Sequence, residues 1–188
     1  MDTWRLNDNE YFERNGLSLL MEHNQYAIGK QGGIELIQHD HRVMTNIGLR
    51  RVTSPGDFYQ TPEKGSRQVT QDRSEVHFDG RFAEFTFQLR IKPLGDWIHF
   101  VVEMNEPFPR EKMDQIAFQF EFAPDIYCNQ SFFFGDQFGM FPLAANGPIG
   151  RNAASRLELL PIGVGRNLSI APEDSLHYNR IERIDGGQ

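Results

Sequence analysis

Residues 83–104, AEFTFQLRIKPLGDWIHFVVEM, decide the fold of this chain. Apolar residues occupy every second position from Phe85 to Ile91, and polar residues lie between them. This period of two places all the apolar side chains on one face of a β-strand. The same alternation returns from Ile98 to Met104, after the turn-forming residues PLGD. The stretch therefore predicts a long β-hairpin with one apolar face.

Shorter runs outside this hairpin have the same strand-like character. A third alternating run extends from Gln115 to Phe122. Further strands are expected at residues 17–21, 33–38, 46–52, 73–78, 131–134, 156–160, 167–170 and 177–184. No stretch has a sustained apolar stripe at helical spacing, and residues 107–113 have room for a single helical turn. Ten or more strands joined by short turns predict an all-β fold, an antiparallel β-sandwich of two packed sheets with at most one or two short helical turns.

The length of 188 residues suits one large domain with a core of its own. We expect the β-sandwich domain to occupy residues 1–175. Residues 176–188 are then the last strand and the start of a connection to a further domain. Two long loops are expected within the sandwich, at residues 54–67 and 135–155, and the second is richer in glycine, asparagine and apolar residues.

Charge and hydropathy exclude several classes of partner. The net charge of −7 disfavours binding to nucleic acid and to anionic membrane surfaces. No window approaches the ~20 apolar residues that a membrane-spanning helix needs. The first residues contain neither the basic region nor the apolar region of a signal peptide, so a cytoplasmic location is the default expectation.

Signatures of catalysis and of cofactor binding are missing from the sequence. There is no G-x-S-x-G nucleophile motif, no phosphate-binding P-loop and no complete dinucleotide-binding glycine loop. His39 and His41 would share one face of a strand, which suits two metal ligands, but no third ligand follows at a suitable spacing. Cys128 is the single cysteine, and we expect it to be buried as a small apolar residue. We therefore predict neither a metal nor a cofactor.

Three residues of the second hairpin strand form a candidate sugar-facing set: Trp97, His99 and Glu103. They lie at alternate positions and so share a face. An imidazole and a carboxylate on one sheet face could perform acid–base chemistry on a sugar, and an indole ring can stack on it. The simpler alternative is a strand surface that faces solvent or another domain. A sugar-modifying enzyme and a sugar-binding module both stay open from these residues alone.

Several short motifs occur in a fixed order along nearly the whole chain. They are EYFE and GLSLL within residues 10–20, GIELIQH and RVMTN within residues 33–46, GMFP at 139–142, NGP at 146–148 and APED at 171–174. This order resembles the N-terminal β-sandwich region of large bacterial glycoside hydrolases related to the family 9 cellulases. In such enzymes the sandwich precedes an (α/α) toroid, which carries the catalytic acid and base.

The resemblance implies an accessory role for this chain in carbohydrate metabolism. It implies a non-catalytic β-sandwich whose partner is a downstream catalytic domain of the same polypeptide, with carbohydrate as a possible ligand. No catalytic residue of the family is transferred to this sequence. We expect the contact with the catalytic domain, or one wall of its substrate cleft, in residues 135–150, and an exposed apolar patch there. The candidate contact residues are Asp136, Gln137, Met140, Phe141 and Asn146.

Overall fold

A computed structural model describes residues 3–21, 33–51, 62–108, 115–143, 147–148, 154–160, 167–173 and 182–183. Within these ranges the chain is mostly β-strand with almost no helix, which confirms the all-β, sandwich-like fold. The chain divides into two compact units, Met1–Glu121 and Phe122–Gln188, where the sequence predicted one domain over residues 1–175.

The first unit contains two sheets. Its strands are β1 Arg5–Leu6, β2 Phe12–Arg14, β3 Leu17–Leu20, β4 Ile34–Gln38, β5 His41–Arg51, β6 Glu63–Val69, β7 Val76–Phe82, β8 Phe85–Leu94, β9 Trp97–Met104 and β10 Ile116–Phe122, the last of which ends one residue inside the second unit. The six-stranded sheet has the order β1-β2-β3-β4-β5-β10, and the four-stranded sheet has the order β6-β7-β8-β9. Strands adjacent in sequence pair antiparallel from β1 to β5 and from β6 to β9.

The predicted hairpin is confirmed as strands β8 and β9, which pair with Leu94 opposite Trp97. On β8 the residues at every second position, from Phe85 to Ile91, are buried, because this face of the strand forms the core. The predicted third run is confirmed as β10, but it joins β5 in the other sheet. The ring of Phe100 on β9 contacts the ring of Phe118 on β10 at 5.4 Å between centroids, so aromatic contacts link the two sheets at this side of the unit.

A phenylalanine ring lies over a glycine on the neighbouring strand in each of the two units. Gly80 of β7 faces Phe87 of β8, and a Cβ added at Gly80 would lie 2.3 Å from the ring. In the second unit, a Cβ at Gly139 would lie 2.5 Å from the ring of Phe132 on the opposite strand. Only glycine leaves room for the ring at these two cross-strand positions.

The second unit is smaller and has its own aromatic core. Its elements are α1 Pro124–Tyr127, β11 Ser131–Phe134, β12 Gln137–Met140, β13 Gly147–Pro148, β14 Leu157–Leu160, β15 Leu168–Ile170 and β16 Glu182–Arg183. One sheet has the order β12-β11-β14-β15, and β13 pairs with β16. Tyr127, Phe132 and Phe141 are buried, and the Phe132 and Phe141 rings are 4.7 Å apart, so aromatic packing holds this unit together.

Several element boundaries differ from the sequence-based expectation. The loop predicted at residues 54–67 is wrong from Glu63 onwards, where β6 begins, because the polar sequence of β6 gives no alternation of apolar residues; residues 54–61 lie outside the described residues. The loop predicted at residues 135–155 contains β12 and β13. The strand predicted at residues 46–52 is the second half of the longer β5, because Asn46 has a positive φ of 49° and the pairing with β4 shifts register nearby. These irregularities break the two-residue period.

Other predicted strands agree well with the structure. The run predicted at residues 131–134 is β11, and those at 156–160 and 167–170 correspond to β14 and β15. The strand expected at residues 73–78 begins only at Val76, because residues 70–74 form a turn in which Thr70 and Glu75 bond each other. Most of the run at residues 177–184 and most of the turn at 107–113 lie outside the described residues.

Candidate functional site

The outward-facing side of the four-stranded sheet in the first unit carries a group of polar and charged side chains. Because side chains alternate along a strand, the residues between the buried positions of β7 and β8 point away from the core, as do the β9 residues that pair with them. We call this surface the outer face. Its cross-strand rows include His77 beside Arg90, Asp79 beside Gln88 and Glu103, and Lys92 beside His99. Polar and charged groups from three strands therefore meet on one surface.

Glu75 is the centre of a charged cluster on this face. Its Oε1 accepts hydrogen bonds from Arg90 Nε at 2.6 Å and interacts with His77 Nε2 at 2.8 Å, and Arg90 donates from its other branch to Glu103 Oε1 at 2.6 Å. Glu75 is only 8% exposed. Burial alone would raise the pKa of Glu75, but Arg90 and His77 together outweigh burial and hold that pKa below its usual range. The carboxylate is therefore ionised, and its charge is balanced by the groups it binds.

A second polar group surrounds Asp79 on the same face. Its carboxylate accepts hydrogen bonds from the Ser66 hydroxyl and, at 3.2 Å, from Gln88 Nε2. These two bonds hold the pKa of Asp79 below its ordinary value. Beside Asp79 lies an open basin with a volume of about 350 Å³. The basin is lined by Glu63, Gly65, Asp79, Gly80, Arg81, Thr86, Phe87 and Asn105.

Glu103 lies apart from the other two residues that were predicted to face a sugar. Trp97 is 47% exposed at the turn end of the hairpin, and His99 is half-buried opposite Lys92. Glu103 is exposed and bound to Arg90. His99 and Glu103 are four residues apart along one strand, which places their backbones roughly 13 Å from each other. The structure does not bring His99 and Glu103 together as an acid–base pair.

Sequence reasoning missed the residues that do cluster with Glu103. His77 and Arg90 come from two other strands and Glu75 directly precedes the first of them, and a single sequence does not say which strands are neighbours. The alternation of β7 and β8 was the available signal, because it places His77 and Arg90 on outward faces. The register that pairs His77 with Arg90 is a property of the folded sheet.

The residues predicted to contact another domain lie on the β11–β12 hairpin of the second unit. Asp136 is exposed in the turn, Gln137 is half-buried and Met140 is 55% exposed. Phe141 is 7% exposed and contacts Phe132, so it fills the core of this unit and does not belong to its surface. Asn146 lies outside the described residues.

An exposed apolar surface lies on the same hairpin, and the sequence did not predict which residues form it. The rings of Phe133 and Phe138 are cross-strand neighbours with centroids 5.4 Å apart, and Met140 follows at the next outward position. Phe138 is 59% exposed. We call Phe133, Phe138 and Met140 the apolar hairpin face. Leu143, just beyond β12, is 65% exposed as well. Exposed apolar side chains clustered in this way are typical of interaction surfaces.

Of the two histidines considered as metal ligands on one strand face, His39 lies in a turn and His41 is the first residue of β5. His39 and Asp40 both have positive φ angles, 45° and 67°, and form the two-residue turn between β4 and β5. His39 donates its backbone N–H to the Gly16 carbonyl at 2.8 Å, so it belongs to the local packing of the turn. In the part of the chain that the structure describes, no three metal-ligating side chains lie close enough to hold an ion.

Two further sequence expectations have an outcome in the structure. Cys128, expected to be buried, is half-buried at the end of α1. None of the helices within the described ranges is long and apolar enough to cross a bilayer.

Comparison with known proteins identifies no relative: no family model, no curated protein and no solved structure matches this chain.

Proposed function

We propose that this chain is a non-catalytic accessory β-sandwich region of a multidomain glycoside hydrolase. It packs against a downstream catalytic domain of the same polypeptide and supports it. The observation that carries the proposal is the apolar hairpin face of the second unit. Two of its three residues, Phe138 and Met140, lie within residues 135–150, where apolar residues among turn residues led us to expect the contact with the catalytic domain.

The energetics of the apolar hairpin face favour a covered state. Phe138 and Met140 are each more than half exposed, and both lie on β12, which is the edge strand of its sheet. Full burial of such a side chain is worth about 1.5–3 kcal/mol relative to full exposure, so covering the exposed halves of both gains roughly 2–3 kcal/mol. A protein partner that shields this face also covers apolar side chains of an edge strand, which otherwise favour aggregation.

A matched pair of substitutions tests the docking role. Met140→Asp places a charge on the apolar hairpin face, and Leu94→Asp does the same at an equally exposed apolar position in the first unit, 55% against 57% exposed. In the complete polypeptide that the gene encodes, Met140→Asp is expected to lower the melting temperature of the catalytic domain, whereas Leu94→Asp leaves it unchanged. Equal effects of the two substitutions, or a gene that stops after codon 188, contradict the proposal.

A carbohydrate-binding module is the second candidate, and the exposed ring of Trp97 favours it. The ring lies at one end of the outer face, where it is 47% exposed beside a surface rich in hydrogen-bonding groups. Indole rings stack on the apolar faces of sugars, and neighbouring polar side chains bind the hydroxyl groups. Binding of the 188-residue chain to a glycan array, lost in Trp97→Ala and kept in Phe138→Ala, which removes an exposed ring of the second unit, is the expected result. Binding that Trp97→Ala leaves intact contradicts this candidate.

A further inference from the structure

We propose that the basin beside Asp79 binds a neutral polyol, a molecule with adjacent hydroxyl groups such as a single sugar residue. The inference does not depend on the accessory role, because none of the basin residues belongs to the apolar hairpin face. It also differs from stacking on Trp97, which lies on β9 at the turn of the hairpin, whereas the basin is built from β6, β7, the start of β8 and Asn105, which follows β9.

The basin is open because of the backbone that surrounds it. The pairing of β6 with β7 shifts register between Lys64 and Arg67, so Gly65 and Ser66 form an irregular segment beside Asp79. A Cβ at Gly65 would lie 2.8 Å from the Cβ of Asp79, so any other residue there would intrude on the Asp79 side of the basin. The volume of about 350 Å³ is at the lower end of the range of small-molecule sites, roughly 300–1,000 Å³.

The polar groups of the basin match adjacent hydroxyls. The Asp79 carboxylate only accepts hydrogen bonds, because its pKa is lowered and it is ionised at neutral pH. Thr86 and Asn105 carry groups that both donate and accept, and the Arg81 guanidinium only donates. A diol presents the same mixture, since each hydroxyl donates one bond and accepts others. The basin therefore offers partners for both roles of neighbouring hydroxyl groups.

The charge of the lining selects against anions. Glu63 and Asp79 are acidic and Arg81 is basic, so the lining carries one net negative charge. Arg81 is moreover held by Glu63, with a hydrogen bond of 2.7 Å from its terminal nitrogen. Phosphate and carboxylate ligands would be repelled by the remaining acid. A neutral hydroxylated molecule avoids this repulsion and keeps the hydrogen bonds.

The side chains of the basin are already positioned. Asn105 Nδ2 donates to Thr86 Oγ1 at 2.9 Å, and Ser66 and Gln88 fix the two oxygens of Asp79. Each of these acceptors has a second lone pair available for a ligand. Fixed side chains lose less conformational entropy when a ligand binds, which is the benefit of preorganisation.

Titration of the isotope-labelled 188-residue chain by NMR tests the proposal. D-glucose and cellobiose are the probes, and cyclohexanol, a ring of similar size with one hydroxyl, is the control compound. We expect amide resonances of β7, the start of β8 and Asn105 to shift with glucose and cellobiose, with dissociation constants in the millimolar range, and to stay in place with cyclohexanol. Resonances that do not move, that move equally with cyclohexanol, or that move only around Trp97 overturn the proposal.

A matched pair of variants tests whether glucose binds in the basin. Asn105→Ala removes an exposed amide of the basin and is expected to weaken glucose binding roughly fivefold, the effect of one lost hydrogen bond. Lys92→Gln changes another exposed residue of the same outer face outside the basin, and the glucose affinity of this variant is expected to stay within about twofold of the native chain. Unchanged binding in Asn105→Ala, or equal loss in both variants, overturns the assignment. Dispersed NMR spectra of both variants establish that they are folded.

Discussion

The glycine that lies under a phenylalanine ring offers the sharpest test of the packing. Gly80→Ala adds a methyl group 2.3 Å from one ring atom of Phe87 and 2.6 Å from a second, far inside van der Waals contact. The ring has little room to move, because Phe87 is 3% exposed and its ring lies 5.9 Å from that of Phe82. The substitution therefore has to displace the strand pair or force the ring from its rotamer.

The magnitude follows from two opposing effects. Overpacking of a core costs about 1–3 kcal/mol, and replacement of glycine by alanine within a strand recovers about 0.5–1 kcal/mol through the lower entropy of the unfolded chain. We expect a net loss of about 1–2 kcal/mol in the free energy of unfolding of the first unit. For a protein of this size, that corresponds to a melting temperature lower by roughly 2–8 °C.

A double-mutant cycle isolates the contact with Phe87. Phe87→Leu removes the ring atoms that the new methyl group would meet, so Gly80→Ala is expected to be neutral or stabilising in the Phe87→Leu background. Urea unfolding followed by circular dichroism measures the free energy of all four proteins. If Gly80→Ala costs the same in both backgrounds, the steric explanation is refuted, and the loss has to come from the backbone.

Three further substitutions test individual buried groups by the same unfolding assay. Gln38 is 1% exposed and its side-chain amide has no hydrogen-bond partner in the described structure, so Gln38→Met is expected to stabilise by about 1–3 kcal/mol; destabilisation would show that the amide is bonded in solution. Tyr127→Phe removes a buried hydroxyl whose pKa is raised by burial and which has no partner among the described residues, and a gain of about 1 kcal/mol is expected; a loss contradicts the isolation of that hydroxyl. Glu75→Gln is expected to cost about 1–3 kcal/mol at pH 7. Because the folded-state pKa of Glu75 lies below its ordinary value of 4.5, the native carboxylate stabilises the fold above pH 4.5 and loses this contribution as the pH falls further, so the difference between native protein and variant has to shrink on acidification; a constant difference refutes the ion-pair explanation.

Strand positions were predictable wherever the alternation of apolar and polar residues was uninterrupted. The β8–β9 hairpin and β10 were found to within a few residues, because every second residue from Phe85 to Ile91 packs into the core. The pattern failed at β6, whose polar sequence carries no apolar face. It also failed in β5, where the positive φ of Asn46 and a register shift break the period. Alternation of apolar and polar residues therefore predicts a regular strand with one buried face, but it does not predict an irregular strand.

The candidate site depended more heavily on tertiary structure. The sequence indicated the outward positions of Trp97, His99 and Glu103, but His99 and Glu103 are separated along one strand, and Glu103 is bound to Arg90. The Glu75 cluster and the basin beside Asp79 are assembled from different strands. Side-chain alternation is a local property, whereas the neighbours of a strand are set by pairing over long distances in sequence.

The amino-acid sequence by itself determined that this chain folds as antiparallel β-structure, because a period of two between apolar residues buries one face of each strand. Tertiary structure alone decided that β9 and β10 end in different sheets, and that the core of the second unit takes Phe141 while Phe138 and Met140 face outward. The physical reason is that the hydrophobic effect determines which residues tend to be buried. Strand register and sheet order then determine which of these residues are packed in a core and which stay exposed.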